Sequence, residues 1–204
     1  MSLSRRQILV SSVGGLAAVA ARPAFAAAPA IAPELLRDAL AALDRHGAQI
    51  AKHDVIAVVD FGLPSCRPRF HLVDVASQRV IASHLVAHGR GSDPRHTGWL
   101  ERFSNDPGSY ASCAGTFRTD GFYEGGHGRS IRLSGLDPSN DNALSRAIVV
   151  HGAWYVSEGV AAAHGVLGRS QGCFALSAAS LNAVMERMGP GHMIYAGKAG
   201  AARI

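Results

Sequence analysis

Two features of this chain have the makings of chemistry: a cysteine behind a glycine-rich turn, and an apolar run that ends in histidine. Cys173 closes the string GRSQGC, with Gly168, Ser170 and Gly172 ahead of it. A glycine before a nucleophile lets backbone N–H groups converge where a tetrahedral oxyanion would form, because no Cβ blocks the approach. His151 lies 22 residues upstream, at the end of Val149-Val150-His151-Gly152. A strand end of that kind can aim an imidazole at a thiol, and a thiol beside an imidazolium ionises more readily. The pair therefore reads as a nucleophile and its base.

Other chemistries find less support. Ten histidines invite a metal site, since His84 and His88 are four apart and His-Gly recurs, among other places, at 88, 127, 151 and 164. No H-E-x-x-H, C-x-x-C or paired-carboxylate pattern surrounds them, so no metal is expected. His84 reads as a strand side chain, His88 as a turn residue, and His127, in EGGHGRS, as a turn or substrate-groove residue. Neither GRGS (89–92) nor EGGHGRS is a phosphate loop, and no G-x-S-x-G elbow points to a serine hydrolase. Asp137 and Asp141 sit in a polar loop beside Pro138 and Asn140 and read as a solvated turn. Trp154 and Tyr155 follow the histidine strand, where they either cover a cleft or pack into the sheet.

The elements that must position the pair are short. Pro33 can open a helix without losing a hydrogen bond, and Leu36, Leu40 and Leu43 give it an apolar stripe to about residue 52. The period then changes. VIAVVDF (55–61), FHLVDV (70–75), RVIASHLVAH (79–88), GTFRTDGFY (115–123), RSIRLSGL (129–136), AIVVHG (147–152) and HMIYAG (192–197) read as strands around Gly and polar turns. SAASLNAVMERMGPG (177–191) reads as a helix that stops at Met188-Gly189-Pro190. Six or seven strands with a helix at each end predict a mainly β fold, a small sandwich or barrel.

Composition agrees with one globular domain. Of 204 residues, 48% are hydrophobic and 17% charged, enough to bury a core and too apolar for wholesale disorder. Arg5, Arg6 and Arg22 fall in the first 26 residues, which hold no acid; beyond them 17 basic residues face 15 acidic ones. That balance is too small to argue for nucleic-acid binding. Residues 1–26 read as an export signal: Arg5-Arg6, then an apolar run, then Ala24-Phe25-Ala26 as a cleavage site. SRRQILV resembles a twin-arginine leader, with Ile8 where Phe is usual. The run from Gln7 to Ala21 falls short of the ~20 residues that cross a bilayer, so no stable membrane span is expected after cleavage. The chain thus divides into a leader (1–26), a linker and N-terminal helix (27–52), and a catalytic domain (53–204).

VVHGAWYVSEG…HGVLGRSQGCFAL resembles the signature of the L,D-transpeptidase catalytic domain (YkuD-like) family: an apolar strand ending in HG, a Gly-containing connection, then [S/T]-x-G-C. AHGRGS (87–92), FSNDPGS (103–109), GTFRTDGFYEGGHGRSIRLSGL (115–136) and RAIVVHGAWYVSEG (146–159) extend the resemblance over roughly 55–197, closest to the murein L,D-transpeptidase branch. The resemblance implies Cys173 as nucleophile and His151 as base, with the N–H groups of Gly172 and Cys173 as oxyanion donors. Ser170 and Arg169 would shape the site, and a carbonyl near Gly152 would orient the imidazole. The implied activity is acyl transfer between peptidoglycan stem peptides through a thioester, with no cofactor, in the periplasm or at the cell wall of a bacterium. A hydrolytic L,D-carboxypeptidase using the same cysteine, or a non-catalytic wall-binding module, are the alternatives.

Several departures bear on these roles. Gln171 stands where many relatives have His, and the 22-residue interval is long for the family. The extra residues bring in His164-Gly165, nine residues before the cysteine, which keeps His164 as an alternative base. Cys66 and Cys113 stand where this branch leads one to expect serine. In an oxidising compartment the two suggest a 66–113 disulfide, with independent buried thiols as the other reading.

Overall fold

A computed structural model describes residues 31–199. The leader (1–26) and the first linker residues lie outside the described residues. Eight strands form one mixed sheet: β1 (Val55–Asp60), β2 (Phe70–Asp74), β3 (Arg79–His84), β4 (Gly115–Gly125), β5 (Gly128–Gly135), β6 (Val149–Gly152), β7 (Phe174–Leu176) and β8 (Met193–Gly197). Their order is β3-β2-β1-β8-β4-β5-β6-β7. The chain beyond β3 bridges to the far end of the sheet, where Ala87 pairs with Ala175 and Gly89 with Ser170. The expected mainly β fold is therefore built from a single sheet that curls back toward its own edge.

β1 shows why the curl is stable. Val55, Ala57 and Val59 face a core with Phe117, Ile131, Val150 and Phe174, while Ile56 and Val58 face a second core under the N-terminal helix. Apolar layers cover both faces, so the strand reads as an unbroken apolar run rather than an alternating one.

Helix α1 (Pro33–His46) covers the second core through Leu35, Ala39, Ala42 and Leu43, with Leu36 and Leu40 only partly buried at its margin. It ends at His46 rather than near residue 52, and a turn follows that seats Ile50 in the core. Helix α3 (Ala178–Arg187), capped by the Ser177 side chain, closes the first core with Leu181, Val184 and Met185.

Two elements are not expected from the sequence. α2 (Glu158–His164) is a two-turn helix with a Ser157 N-cap and a Gly165 C-cap at φ 69°. Leu167 and Val156 flank it in a small cluster with Ala87 and Ala175. β7 has three residues, too few for a period to register. β3 is shorter than the apolar run 79–88 suggests; its last residues bend away to meet β7.

Candidate active site

β6 and β7 run parallel, with Val150 beside Phe174, His151 beside Ala175 and Gly152 beside Leu176. Continuing that register back one residue sets Cys173 beside Val149. Successive side chains alternate faces, so 149, 151, 173 and 175 share one face, while Val150, Phe174 and Leu176 point into the core. Strand spacing then puts the Cα atoms of His151 and Cys173 about 8 Å apart, a gap that an imidazole and a thiol can bridge.

The imidazole is oriented from behind. His151 is 2% exposed, and its Nδ1–H donates to the carbonyl of Gly152 at 2.9 Å, which leaves Nε2 as the ring's proton acceptor. His127, from the β4–β5 turn, stacks on the ring with centroids 4.2 Å apart. Burial lowers the pKa of His151, the Gly152 carbonyl raises it, and the neighbouring His127 lowers it again. The net direction is down, which keeps the ring neutral and able to take a proton at pH 7.

Cys173 is half-buried. Burial raises its pKa, against which the Val149 N–H and the charge of Arg146 act to lower it. The Arg146 guanidinium is held firmly: Nη1 donates to the carbonyl of Ser104 at 2.8 Å and to the Cys113 sulfur at 3.1 Å, and Nη2 to the carbonyl of Ala111 at 2.5 Å. Tyr155 also lies close enough to Cys173 to be affected by its charge: burial first, then a Cys173 thiolate, pushes the phenol up to about 12.

The turn before Cys173 is set by glycine and serine. Gly172 has φ +120°, and a Cβ there would stand 2.7 Å from Ile148 Cδ1 and 2.8 Å from the Ala111 carbonyl oxygen. Ser112 Oγ donates to the Gly172 carbonyl and accepts the Gly89 N–H, each at 3.0 Å. Ser170 Oγ donates to the Cys173 carbonyl at 2.7 Å and accepts the Gly172 N–H at 3.1 Å. The Gly172 N–H is thus engaged by Ser170 Oγ in this structure, where the sequence reading expects it to serve as an oxyanion donor.

The remaining expected residues sit as follows. Arg169 turns inward and its Nη1 donates to the Asp93 carbonyl. His164 is the exposed last residue of α2. Cys66 and Cys113 are free thiols in separate surroundings, Cys66 with Pro68, Leu85 and Ala161 and the buried Cys113 against Arg146, so the bridge considered from the sequence is not made. His88 is no turn residue on the surface: it is 1% exposed, accepts from Arg69 Nη2 at 2.7 Å and donates to Asp93 at 3.4 Å. Asp137 accepts the Thr116 N–H and pairs with His46, so it ties α1 to the sheet rather than sitting as a solvated acid. Trp154 is exposed and Tyr155 half-buried.

Arg146, Ser112 and the stacked position of His127 were not singled out by sequence reasoning; only their places in RAIVVHG, just after FSNDPGS, and in EGGHGRS hinted at them. A cavity of about 490 Å³ lies elsewhere, between α1 and the end of β8, lined by Leu35, Tyr195 and Lys198 among others.

In sequence, residues 27–196 match the family described as L,D-transpeptidase catalytic domain. The chain belongs to that family. A search of curated proteins finds no match. Similar solved structures include an L,D-transpeptidase from Mycobacterium smegmatis, 13% identical, with 71% of this chain and 58% of that one covered at a TM-score of 0.42. Another is the L,D-transpeptidase (Yku) from Stackebrandtia nassauensis, 14% identical, with 75% and 60% covered and a TM-score of 0.42. A third, residues 123–326 of an L,D-transpeptidase from Xylanimonas cellulosilytica, is 17% identical, with 78% and 68% covered and a TM-score of 0.38. The chain spans less than two thirds of the length of the first two. These likenesses are remote, and membership rests on the sequence match. Among the described residues no helix is long and apolar enough to cross a membrane.

Proposed function

We propose that this protein is an exported L,D-transpeptidase that joins peptidoglycan stem peptides through a thioester on Cys173. The observation that carries the reading is the pairing of the family match with a same-face His151 whose Nδ1 is occupied by Gly152. Nε2 takes the thiol proton, and the thiolate attacks the carbonyl between the diamino diacid's L-centre and a terminal D-alanine. The C–N bond breaks, the imidazolium returns its proton to the departing amine, and D-alanine leaves. An amine of a second stem then attacks the thioester, gives up its proton to His151 and frees the sulfur. Both additions pass through an oxyanion, for which the Cys173 N–H is the proposed donor; preorganised donors of this kind commonly account for several kcal/mol. The leader at 1–26 supports delivery to the periplasm or cell wall.

Wild-type protein exposed to a carbapenem should gain the drug's mass once, and Cys173→Ala should gain none. Muropeptide profiles of cells with and without the enzyme, and with Cys173→Ala, should then differ by new links between diamino acids. Shortened stems without such links would replace transfer by hydrolysis, and an unchanged profile after Cys173→Ala would overturn the cysteine mechanism.

A further inference from the structure

The hairpin beside the strand of His151 carries a cation that, among the described residues, no acid pairs with. In β5, Arg132 lies opposite Val149 of β6, and Val149 in turn stands beside Cys173 when the β6–β7 register is continued. The three residues therefore share one level of the sheet. They also share one face, since Ile131 and Leu133, the neighbours of Arg132, point into the core with Val150 and Phe174. Two strand spacings set the Arg132 Cα about 10 Å from that of the nucleophile.

The side chain of Arg132 is exposed, and its guanidinium lies over the Tyr123 ring at 4.8 Å from the centroid. Among the described residues it makes no ion pair. The acid nearest along the hairpin, Asp120, is taken by Arg118 Nε at 2.7 Å and Ser134 Oγ at 2.5 Å, and Glu124 stands opposite Arg129. Stacking on tyrosine restricts the arginine's freedom while leaving its N–H fork open, the state from which a planar carboxylate is captured at least entropic cost.

We propose that Arg132 is the specificity anchor of the acyl donor, binding a substrate carboxylate while the scissile carbonyl lies over Cys173. The proposal rests on the thioester reading above and adds its recognition element. A stem peptide offers two carboxylates of suitable chemistry, one on the leaving D-alanine and one at the distal centre of the diamino diacid, and the anchor binds one of them in a two-pronged contact.

The test uses the mature enzyme and synthetic stem tetrapeptides with both carboxylates free, with the terminal one amidated, or with the distal one amidated. Acyl-enzyme formation is followed by intact mass. Wild type should lose about tenfold or more in acylation efficiency when the anchored carboxylate is amidated, the size expected of one charge-assisted contact. Arg132→Gln should show that loss on the free acid and no further loss on the same amide, and Arg132→Lys should restore part of it. Whichever amide removes the difference between wild type and Arg132→Gln names the carboxylate. Alkylation of Cys173 by neutral iodoacetamide should be unchanged in both variants, which separates recognition from damage to the site. Equal losses of Arg132→Gln on acid and amides, a wild-type rate on the free acid, or slowed alkylation would each overturn the anchor. Should wild type alkylate at Cys173 yet acylate with none of the peptides, the stem-peptide reading fails and the anchor fails with it.

Discussion

At the scale of single residues, the site works against its own burial. A half-buried thiol resists ionising, and what offsets this is the charge of Arg146 and the Val149 N–H. Arg146 is fixed by three backbone or sulfur acceptors, so its charge stays near Cys173. Arg146→Met should therefore move the pH midpoint of Cys173 alkylation upward and slow alkylation several-fold at pH 7. Arg146→Lys should recover part of the shift, and an unmoved midpoint in the methionine variant would remove Arg146 from thiol activation. The same environment that raises Cys173 lowers His151, since burial penalises whichever form is charged. Both groups are accordingly neutral at rest, and in the proposed mechanism the proton is transferred as substrate arrives.

At the scale of elements, the turn before Cys173 depends on segments that are far apart in sequence. Gly89 lies against it so closely that a Cβ would stand 2.7 Å from both Cα and N of Gly172 and 2.3 Å from the Tyr110 carbonyl oxygen. All three contacts are backbone, which cannot swing aside. Gly89→Ala should cost about 1–3 kcal/mol of stability, as overpacking does elsewhere. It should also slow Cys173 alkylation, because relief of the clash displaces Gly172. A thermal melt and an alkylation rate both equal to wild type would show the turn to be looser than this packing implies. The β4–β5 hairpin contributes differently. Its tip brings His127 over the His151 imidazole, and its second strand carries Arg132 at the level of Cys173.

At the scale of the whole molecule, the fold holds two histidines in forms that acid disrupts. His71, in β2, is 1% exposed with Nε2 unpartnered, and burial, then His84, pulls its pKa to about 4 from 6.5. His88 is pulled to about 4 mainly by burial; its Nδ1 accepts from Arg69, so a proton there would face a donor. A folded pKa below the unfolded one means that the unfolded chain binds more protons between pH 6.5 and 4, so the stabilisation is full above pH 6.5 and is lost as pH falls toward 4. For His71 the difference is on the order of 3 kcal/mol. Urea melts should show stability dropping over that window, and His71→Gln should show a shallower drop. A flat profile in the wild type would show that neither ring stays neutral for the sake of the fold. The effect reaches the site, because the His88 carbonyl accepts the Ser170 N–H two residues before Gly172.

What the sequence determined by itself was whatever local periodicity and short motifs encode. The run VIAVVD, the Leu36, Leu40 and Leu43 period that signals α1 (though the helix buries a neighbouring face) and the Gly-Pro stop after α3 each specify an element from neighbours in the chain. The mainly β class and the choice of Cys173 and His151 as candidates come from such signals. Only the tertiary structure decided that the sheet curls into one piece, that α2 exists, that the Gly172 N–H is taken by Ser170, and that Arg146, Ser112 and His127 gather around the candidates. Contacts such as Ser112 with Gly172 join residues 60 apart, and they depend on strand register. Register is chosen by how the two apolar faces pack over the whole sheet, a sum that no single stretch of sequence contains.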